Sequence, residues 1–292
     1  MTKRPILLLI RGLGHSGTTI LDLALGAHPE IVGLGEAARI LERPKAGEEQ
    51  RGPAMLRGPL RKERLCTCGS TADECPIWGE ILQNLPVHDD QALTVKMRSL
   101  IERVVKHQAE QGHHVAAIVD SFQEDLVLPL QLTKEMDVRV IHLVRDVRSW
   151  LHSRLRASKQ AHRFCSEART LARWWYVNWK LERILNRSAC PVLHLGYEEL
   201  ALRPEVALRH VCAWLGVSFA PSMLKPGCNS RSHILSGNRM RFDSQKNNAI
   251  LYDDSWLRST HWMVRLAPMI PAVAAMNHRL VYSNSGFSKR NN

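Results

Sequence analysis

Short apolar runs alternate along the chain with longer stretches of helical periodicity. The first run, Ile6 to Ile10, is followed by glycines and then by apolar residues at helical spacing over 20–27, which predicts a strand, a loop and a helix. Further strands are predicted at 31–34, 115–119, 138–144 and 192–195, and further helices at 92–111, 124–136, 166–186, 204–215 and 262–276. This alternation is typical of an α/β fold, a three-layer sandwich with a mostly parallel central sheet flanked by helices.

The loop after the first strand has the composition of a phosphate-binding loop. It reads RGLGHSGTT from Arg11 to Thr19, and its backbone N–H groups, with the positive end of the following helix, can converge on an anion. Gly12 and Gly17 fit the G-x-x-x-x-G spacing of a Walker loop, but Thr18 stands where that loop has Lys. The sequence therefore predicts a P-loop-like fold that binds a phosphate ester, and it disfavours an NTPase.

A second group of candidate anion ligands follows the strand predicted at 138–144. Arg145 stands at the strand end, and Ser149, Ser153 and Arg156 share one stripe of the helix that follows. Arg145 and Ser153 are about 12 Å apart along that helix, a gap that a long guanidinium stem can largely close. These residues could hold one phosphate, whereas the simpler interpretation is a surface helix with ordinary charges.

The first loop carries a family resemblance. His15-Ser16-Gly17-Thr18-Thr19, followed by Ala27-His28-Pro29 and then by Gly35-Glu36, resembles the sulfotransferases that use 3′-phosphoadenosine 5′-phosphosulfate (PAPS), especially bacterial members and the tyrosylprotein branch. The resemblance implies that this loop holds the 5′-phosphosulfate of PAPS, without nucleotide hydrolysis or a metal. The implied donor-binding residues of the loop are Arg11, Gly14, His15, Ser16, Gly17, Thr18 and Thr19.

The second group resembles the 3′-phosphate site of the same family. That site has an Arg at a strand end and a Ser eight positions later, and Arg145 and Ser153 match both positions. Arg148 and His152 also agree with the tyrosylprotein branch, but a further Arg of some members falls on Ala157. The candidates to replace it are Arg154 and Arg156.

Two later stretches add candidate donor contacts. The Tyr-Glu pair at Tyr197, with the Pro and helix after it, resembles the family region in which a Tyr lies near adenine, although a packing role for Tyr197 is equally compatible. The family also covers its donor with a basic loop near the C-terminus. The segment 225–260, with Arg239 and Arg241, is similar in composition and is expected to close over PAPS.

For the chemistry, the resemblance makes Glu36 the general base that takes the proton of the acceptor hydroxyl. An acid capping the first turn of a helix over 37–41 is the structural alternative. His15 stands where the family commonly has Lys or Arg and is expected to stabilise charge on the sulfuryl group. The candidates to supply a permanent cation are Arg11, Arg239 and Arg241.

The charge of the chain agrees with an anionic ligand. A formal net charge of +12 over 292 residues suits a nucleotide, a nucleic acid, a sulfated glycan or an acidic lipid surface. We predict one domain over 1–292 with a variable insertion at 43–91. The predicted reaction is sulfuryl transfer from PAPS to a hydroxyl, with an amine as the secondary candidate, of a metabolite, glycolipid, saccharide or peptide tyrosine. The alternatives are a P-loop kinase and a basic nucleic-acid-binding protein, but no recognised zinc-finger, RRM or basic-zipper pattern is present.

The cysteines and the apolar runs bear on the compartment. Seven scattered cysteines without a secretory signal, and no apolar run near the roughly 18 residues of a membrane span, predict a cytoplasmic protein with reduced thiols. Cys66, Cys68 and Cys75 are the exception to the scatter. They could form a zinc site, a disulfide or a local structural knot; the knot is favoured because the fourth ligand is missing nearby and His88 is distant. No metal is expected in the reaction.

Overall fold

The computed structural model describes residues 4–44, 47–48, 55–56, 64–85, 90–123, 131–157, 164–227, 231–245 and 247–282. Within these ranges the strands are β1 (Ile6–Gly12), β2 (Ile31–Gly33), β3 (Ala117–Asp120), β4 (Val138–Val144) and β5 (Val192–Gly196). They form one sheet in the order β2-β3-β1-β4-β5, and every neighbouring pair is parallel. The predicted parallel sheet is therefore confirmed.

Helices cover both faces of this sheet. Their bounds are α1 Thr18–Gly26, α2 Ala37–Leu41, α3 Trp78–Gln83, α4 Leu93–Glu110, α5 Val147–Ala157, α6 Phe164–Leu185, α7 Tyr197–Leu202, α8 Pro204–Leu215, α9 Trp262–Leu266 and α10 Pro271–Asn277. Short 3₁₀ turns lie at Leu132–Lys134, Pro221–Leu224, Arg239–Phe242, Ser255–Arg258 and Ala267–Met269, and a π turn at His278–Tyr282.

The central strand β1 divides the core, because successive side chains of a strand point to opposite faces. Leu7 and Leu9 pack into a cluster with α2, α3 and α4, whereas Ile6, Leu8 and Ile10 pack into another with α1 and α8. A third apolar cluster joins α5 and α6 to α9 and α10. The result is the three-layer sandwich that the alternation of strands and helices predicts.

One helix prediction needs correction. The helix predicted over 262–276 is broken into α9, a 3₁₀ turn and α10, because Pro268 and Pro271 cannot donate the backbone hydrogen bonds that a continuous helix needs. Of the helix predicted over 124–136, residues 124–130 lie outside the described ranges, so the helix stays a prediction there; in the described remainder Gln131 is helical and Leu132–Lys134 form a 3₁₀ turn.

The insertion predicted at 43–91 is described mainly over 64–85. This part packs on the sheet: Cys66, Cys75, Trp78 and Leu82 are buried in the same cluster as Leu7. It therefore contributes to the core on one face of the sheet. Across the part of the chain that the structure describes, no helix has the length and apolar character needed to traverse a bilayer.

Candidate active site

All five parallel strands end at one edge of the sheet, where ligands of such folds bind. The RGLGHSGTT loop leaves β1 there and enters α1. Gly17 caps α1 with φ 93°, and a Cβ at this position would lie 2.5 Å from the Tyr197 ring. A Cβ on Gly12 would lie 2.3 Å from the carbonyl oxygen of Leu143. Only glycine fits both positions, because a side chain would clash with the Tyr197 ring or with the backbone of β4.

His15 is the residue at which the two predicted anion motifs meet. It has φ 73°, a left-handed conformation that few residues other than glycine adopt. Its carbonyl accepts a hydrogen bond from Arg145 Nη1 at 3.1 Å, and its Nδ1 lies 3.2 Å from Ser153 Oγ. Burial, and next the positive charges of Arg154 and Arg145, lower the pKa of His15 below its ordinary value of 6.5. The imidazole is therefore neutral at pH 7 in the free protein.

Arg145 is held in place by contacts on several sides. Its Nε donates to Ser149 Oγ at 2.7 Å, its Nη2 pairs with Asp253 at 2.8 Å, and its guanidinium lies over the Tyr197 ring, 4.6 Å from the centroid. The indole of Trp150 on α5 also donates to the carbonyl of Gly14 at 2.8 Å. The strand-end motif and the glycine loop are thus one connected structure, as the resemblance requires.

Glu36 lies on the opposite side of the loop, after β2. The side chain is buried, and its Oε2 accepts hydrogen bonds from Arg39 at 3.0 Å and from Ser236 Oγ at 3.1 Å. Gln123 Nε2 lies 2.9 Å from Thr18 Oγ1 and 3.4 Å from Glu36 Oε1. Gln123 therefore connects the glycine loop to the carboxylate of Glu36, and this carboxylate has a fixed orientation.

A cavity of about 640 Å³ joins these groups, and its volume is within the range of small-molecule sites. Of the predicted site residues it is lined by Gly14, His15, Gly17, Thr18, Thr19, Glu36, Arg145, Ser153 and Tyr197. Three arginines and one glutamate among the lining residues leave an excess of positive charge: Arg39, Arg64 and Arg145 against Glu36. Such a cavity favours an anionic ligand.

The other four predicted site residues do not line this cavity. The Arg11 guanidinium is fully buried and pairs with Asp120 at 2.9 Å, an arrangement that supports the ends of β1 and β3. Ser16 is buried, and its backbone N–H donates a hydrogen bond to the carbonyl of Leu13. Arg239 is exposed, and Arg241 donates to the carbonyls of residues 235, 237 and 238. Their donor-binding roles stay predictions.

Tyr197 has the packing role that the sequence left open. Its ring is buried between Gly17 and the guanidinium of Arg145, and its hydroxyl donates to the carbonyl of Leu251 at 3.2 Å. Burial raises the pKa of this phenol. The ring therefore supports the loop and Arg145 together, and contact with adenine stays a prediction.

Sequence reasoning missed several polar residues of the site. Gln123 comes three residues after the end of β3, a position at the carboxyl edge that could have indicated it. Arg39 and Arg64 place cations near Glu36 that the sequence sought elsewhere. Asp22 lies under the site on α1, and its full burial raises the pKa of its carboxyl to about 7.

The comparisons with known proteins agree with this geometry. A model of the sulfotransferase family matches residues 5–221. Protein-tyrosine sulfotransferase 2 of Gallus gallus is 27% identical over an alignment of 254 positions, and the match covers 80% of this chain and 59% of that protein. The chain thus spans less than two thirds of that relative.

Two solved structures share the fold. The sulfotransferase domain of the Synechococcus PCC 7002 olefin synthase has 18% identity and a TM-score of 0.54, covering 95% of this chain and 94% of the domain. The sulfotransferase domain from the curacin biosynthetic pathway has 17% identity and a TM-score of 0.55, covering 96% and 98%. These structures agree with the fold. The match of the family model over residues 5–221 confirms the resemblance, and the chain belongs to the sulfotransferase family.

Proposed function

We propose that the protein transfers the sulfuryl group of PAPS to a hydroxyl group of an acceptor. The observation that carries the proposal is the contact of the two anion motifs at His15, whose carbonyl bonds Arg145 and whose ring lies 3.2 Å from Ser153 Oγ. One nucleotide with phosphates at both ends can therefore reach both motifs.

The cavity suits the two anionic ends of this donor. The glycine loop and Thr18 would hold the 5′-phosphosulfate through backbone and hydroxyl donors, which bind most strongly to an anion. Arg145 and Ser153 would hold the 3′-phosphate. When bound, PAPS supplies an activated sulfuryl group on a nucleotide leaving group. The Asp253 carboxylate, which now pairs with Arg145, competes with that phosphate for the guanidinium.

Glu36 is the group placed to take the acceptor proton. Its Oε2 is fixed by Arg39 and Ser236, and its Oε1 is within 3.4 Å of Gln123. Because Gln123 also bonds Thr18, the carboxylate keeps a constant position relative to the loop that would hold the reacting group. A base with this orientation accepts a proton as the acceptor oxygen becomes nucleophilic.

His15 is placed to stabilise the charge that develops near the loop. Its ring is neutral in the free protein, and a bound dianion would favour the protonated form. Arg39 and Arg64 line the cavity on the Glu36 side and supply permanent cations there. Charge stabilisation is thus shared between a titratable group and two guanidinium groups.

The acceptor is a hydroxyl compound, and the chicken relative is named for protein tyrosine. Metabolites, glycolipids and saccharides remain candidate classes beside peptide tyrosine. The kinase alternative is not favoured, because Thr18 replaces the Walker Lys and the family match is to sulfotransferases. A basic nucleic-acid-binding protein is likewise not favoured by this match.

Transfer of radioactive sulfate from labelled PAPS tests the proposal. The protein is incubated with PAPS and a panel holding one acceptor of each class, and labelled products are separated. Glu36→Gln should lower kcat by about 10²- to 10⁴-fold with little change in PAPS affinity. Glu110→Gln, on the exposed end of α4, is the matched control and should act like wild type. Labelling of no acceptor, or full activity in Glu36→Gln, would contradict the proposed function.

A further inference from the structure

Four potential metal ligands come together beside the active site, although one of them is far away in sequence. Cys66, Cys68 and Cys75 lie in the turns before α3, and His233 comes from the segment after α8. Their ligand atoms all lie within 4.8 Å of one another. The sequence offered only three of the four, because folding is needed to bring His233 to the thiols. His88, the distant candidate, lies outside the described residues.

The distances from Cys75 Sγ to the other three ligand atoms match those of a tetrahedral metal site. Cys75 Sγ lies 3.7 Å from Cys66 Sγ, 3.9 Å from Cys68 Sγ and 3.3 Å from His233 Nδ1. Zinc bonds of about 2.3 Å to sulfur and 2.0–2.1 Å to nitrogen, at tetrahedral angles, require sulfur atoms about 3.8 Å apart and sulfur and nitrogen about 3.6 Å apart. The three separations from Cys75 are close to these values and the other pairs lie within 4.8 Å, so the four ligand atoms can surround one zinc ion after small movements.

The backbone around the thiols is preorganised. The N–H of Cys66 bonds the carbonyl of Ser70, and the N–H of Gly69 bonds the carbonyl of Cys66, with Gly69 at φ 92°. Three of the four ligands are buried; Cys68 is the exposed one and leaves a path for an ion to enter. A tight Cys-x-Cys-Gly turn thus presents two thiolates to one point, and the turn at Cys75 presents the third.

His233 is fixed to this turn by its own backbone. Trp78 Nε1 donates to the carbonyl of His233 at 2.6 Å, Thr67 Oγ1 donates to the carbonyl of Ser232 at 2.9 Å, and the N–H of Ile234 donates to Thr67 Oγ1 at 2.9 Å. Both neighbours of His233 are therefore bonded to Thr67, which lies between Cys66 and Cys68. This arrangement has the features of a binding site whose fourth ligand is supplied by a second segment.

We propose that Cys66, Cys68, Cys75 and His233 bind one zinc ion with a structural role. Four protein ligands close the coordination sphere, which is the character of structural and not catalytic zinc. Thiolate and imidazole ligands at tetrahedral separations suit Zn²⁺ better than the hard cations Mg²⁺ and Ca²⁺. This assignment does not depend on the reaction proposed above, and it differs from the local knot that the sequence favoured.

The ion would tie two segments that meet at the candidate base. Three residues after His233, Ser236 accepts the N–H of Glu36 through its carbonyl and donates to Glu36 Oε2 through its hydroxyl. Arg64, two residues before Cys66, donates to the carbonyl of Leu235 and lines the cavity. Zinc would therefore hold the segment that orients Glu36, while the glycine loop and Arg145 are positioned by other contacts.

Metal analysis of the full chain, purified without an affinity tag from zinc-supplemented medium, tests the assignment. We expect about one zinc per chain after gel filtration, and loss of at least about nine tenths of it in Cys75→Ser and in His233→Asn. The matched controls are Cys190→Ser, a buried thiol elsewhere, and His107→Asn, whose ring is 5.8 Å from that of His233 but outside the ligand set; both should keep the metal. Equal zinc content in the ligand variants and wild type would show an adventitious ion only and would overturn the assignment.

A second measurement needs only wild-type protein, in case the ligand variants fail to fold. All seven thiols should titrate after unfolding with a chelator, and zinc should be released with them. Exchange with Co²⁺ should give the intense visible d–d bands of tetrahedral Co²⁺. It should also give near-ultraviolet bands of sulfur-to-metal charge transfer. Five reactive thiols, two fewer than seven, would show a disulfide in place of the metal. Seven thiols without zinc, or Co²⁺ spectra without tetrahedral bands, would equally overturn the assignment.

Discussion

The buried carboxyl group of Asp22 provides a test of the structure beneath the active site. Asp22 is completely buried on α1, and its Oδ2 accepts a hydrogen bond from Ser121 Oγ at 2.6 Å. Burial raises the pKa of this carboxyl from its ordinary value of 3.8 to about 7, with further contributions from the charges of Asp120 and Glu36. The folded protein therefore keeps a proton on Asp22 under conditions in which the unfolded chain has released it.

The sign of the effect follows from this proton. Between about pH 4 and pH 7 the folded state binds more protons than the unfolded state, so stability falls as the pH rises and becomes level above about pH 7. A pKa difference from 3.8 to about 7 corresponds to about 4 kcal/mol over the full interval. This is a large part of the roughly 5–15 kcal/mol that stabilises a typical domain.

Urea unfolding of wild type and Asp22→Asn, measured from about pH 5 to pH 8, gives the difference. As the pH rises over this interval, the free energy of unfolding of wild type should fall by roughly 3 kcal/mol more than that of the variant, because Asn does not titrate. Glu198, whose pKa burial raises to about 7, contributes a slope of the same sign to both proteins and cancels in the comparison. Asp254→Asn, at an exposed carboxyl, is the control. Identical slopes in wild type and Asp22→Asn would refute the assignment of a protonated Asp22.

Two further predictions concern the donor site. His15→Asn, which tolerates the left-handed backbone at φ 73°, should lower turnover by about tenfold or more with a smaller loss of donor affinity. Because bound donor favours protonated His15, wild-type affinity should also rise more steeply than that of the variant as the pH falls below 7; parallel pH profiles would exclude a titrating His15. Asp253→Asn should tighten binding of adenosine 3′,5′-bisphosphate about two- to fivefold, since it removes the partly exposed carboxylate that competes for Arg145. Weaker calorimetric binding would show that Asp253 positions Arg145 instead.

The local parts of this structure could be predicted from the sequence. Apolar runs at β1 and β4 and helical spacing at α4, α6 and α8 give the elements to within a few residues, because each depends on a short-range pattern. The strand-loop-helix over 6–26 also locates the loop that lines the cavity, since glycine spacing and a strand end are both visible in one stretch. The prolines at 268 and 271 likewise show where a continuous helix must end, and they were missed.

The parts that depend on long-range packing could not be predicted in this way. Gln123 bonds Thr18 across 105 residues, and Cys75 meets His233 across 158. Arg11 has the charge of a ligand-binding residue, but the fold buries its guanidinium against Asp120. Because sequence spacing does not encode which loops meet at the sheet edge, these partners become visible only when the topology is known.

The central claim is that both anion motifs bind one nucleotide, and calorimetric titration with adenosine 3′,5′-bisphosphate and with adenosine 5′-phosphate tests it most directly. Charge-assisted hydrogen bonds of about 1.5–3 kcal/mol should make wild type prefer the bisphosphate by at least about tenfold. Arg145→Ala should abolish this preference, while the exposed-site control Arg187→Ala keeps it. Equal binding of the two nucleotides by wild type, or an unchanged preference in Arg145→Ala, would contradict the account.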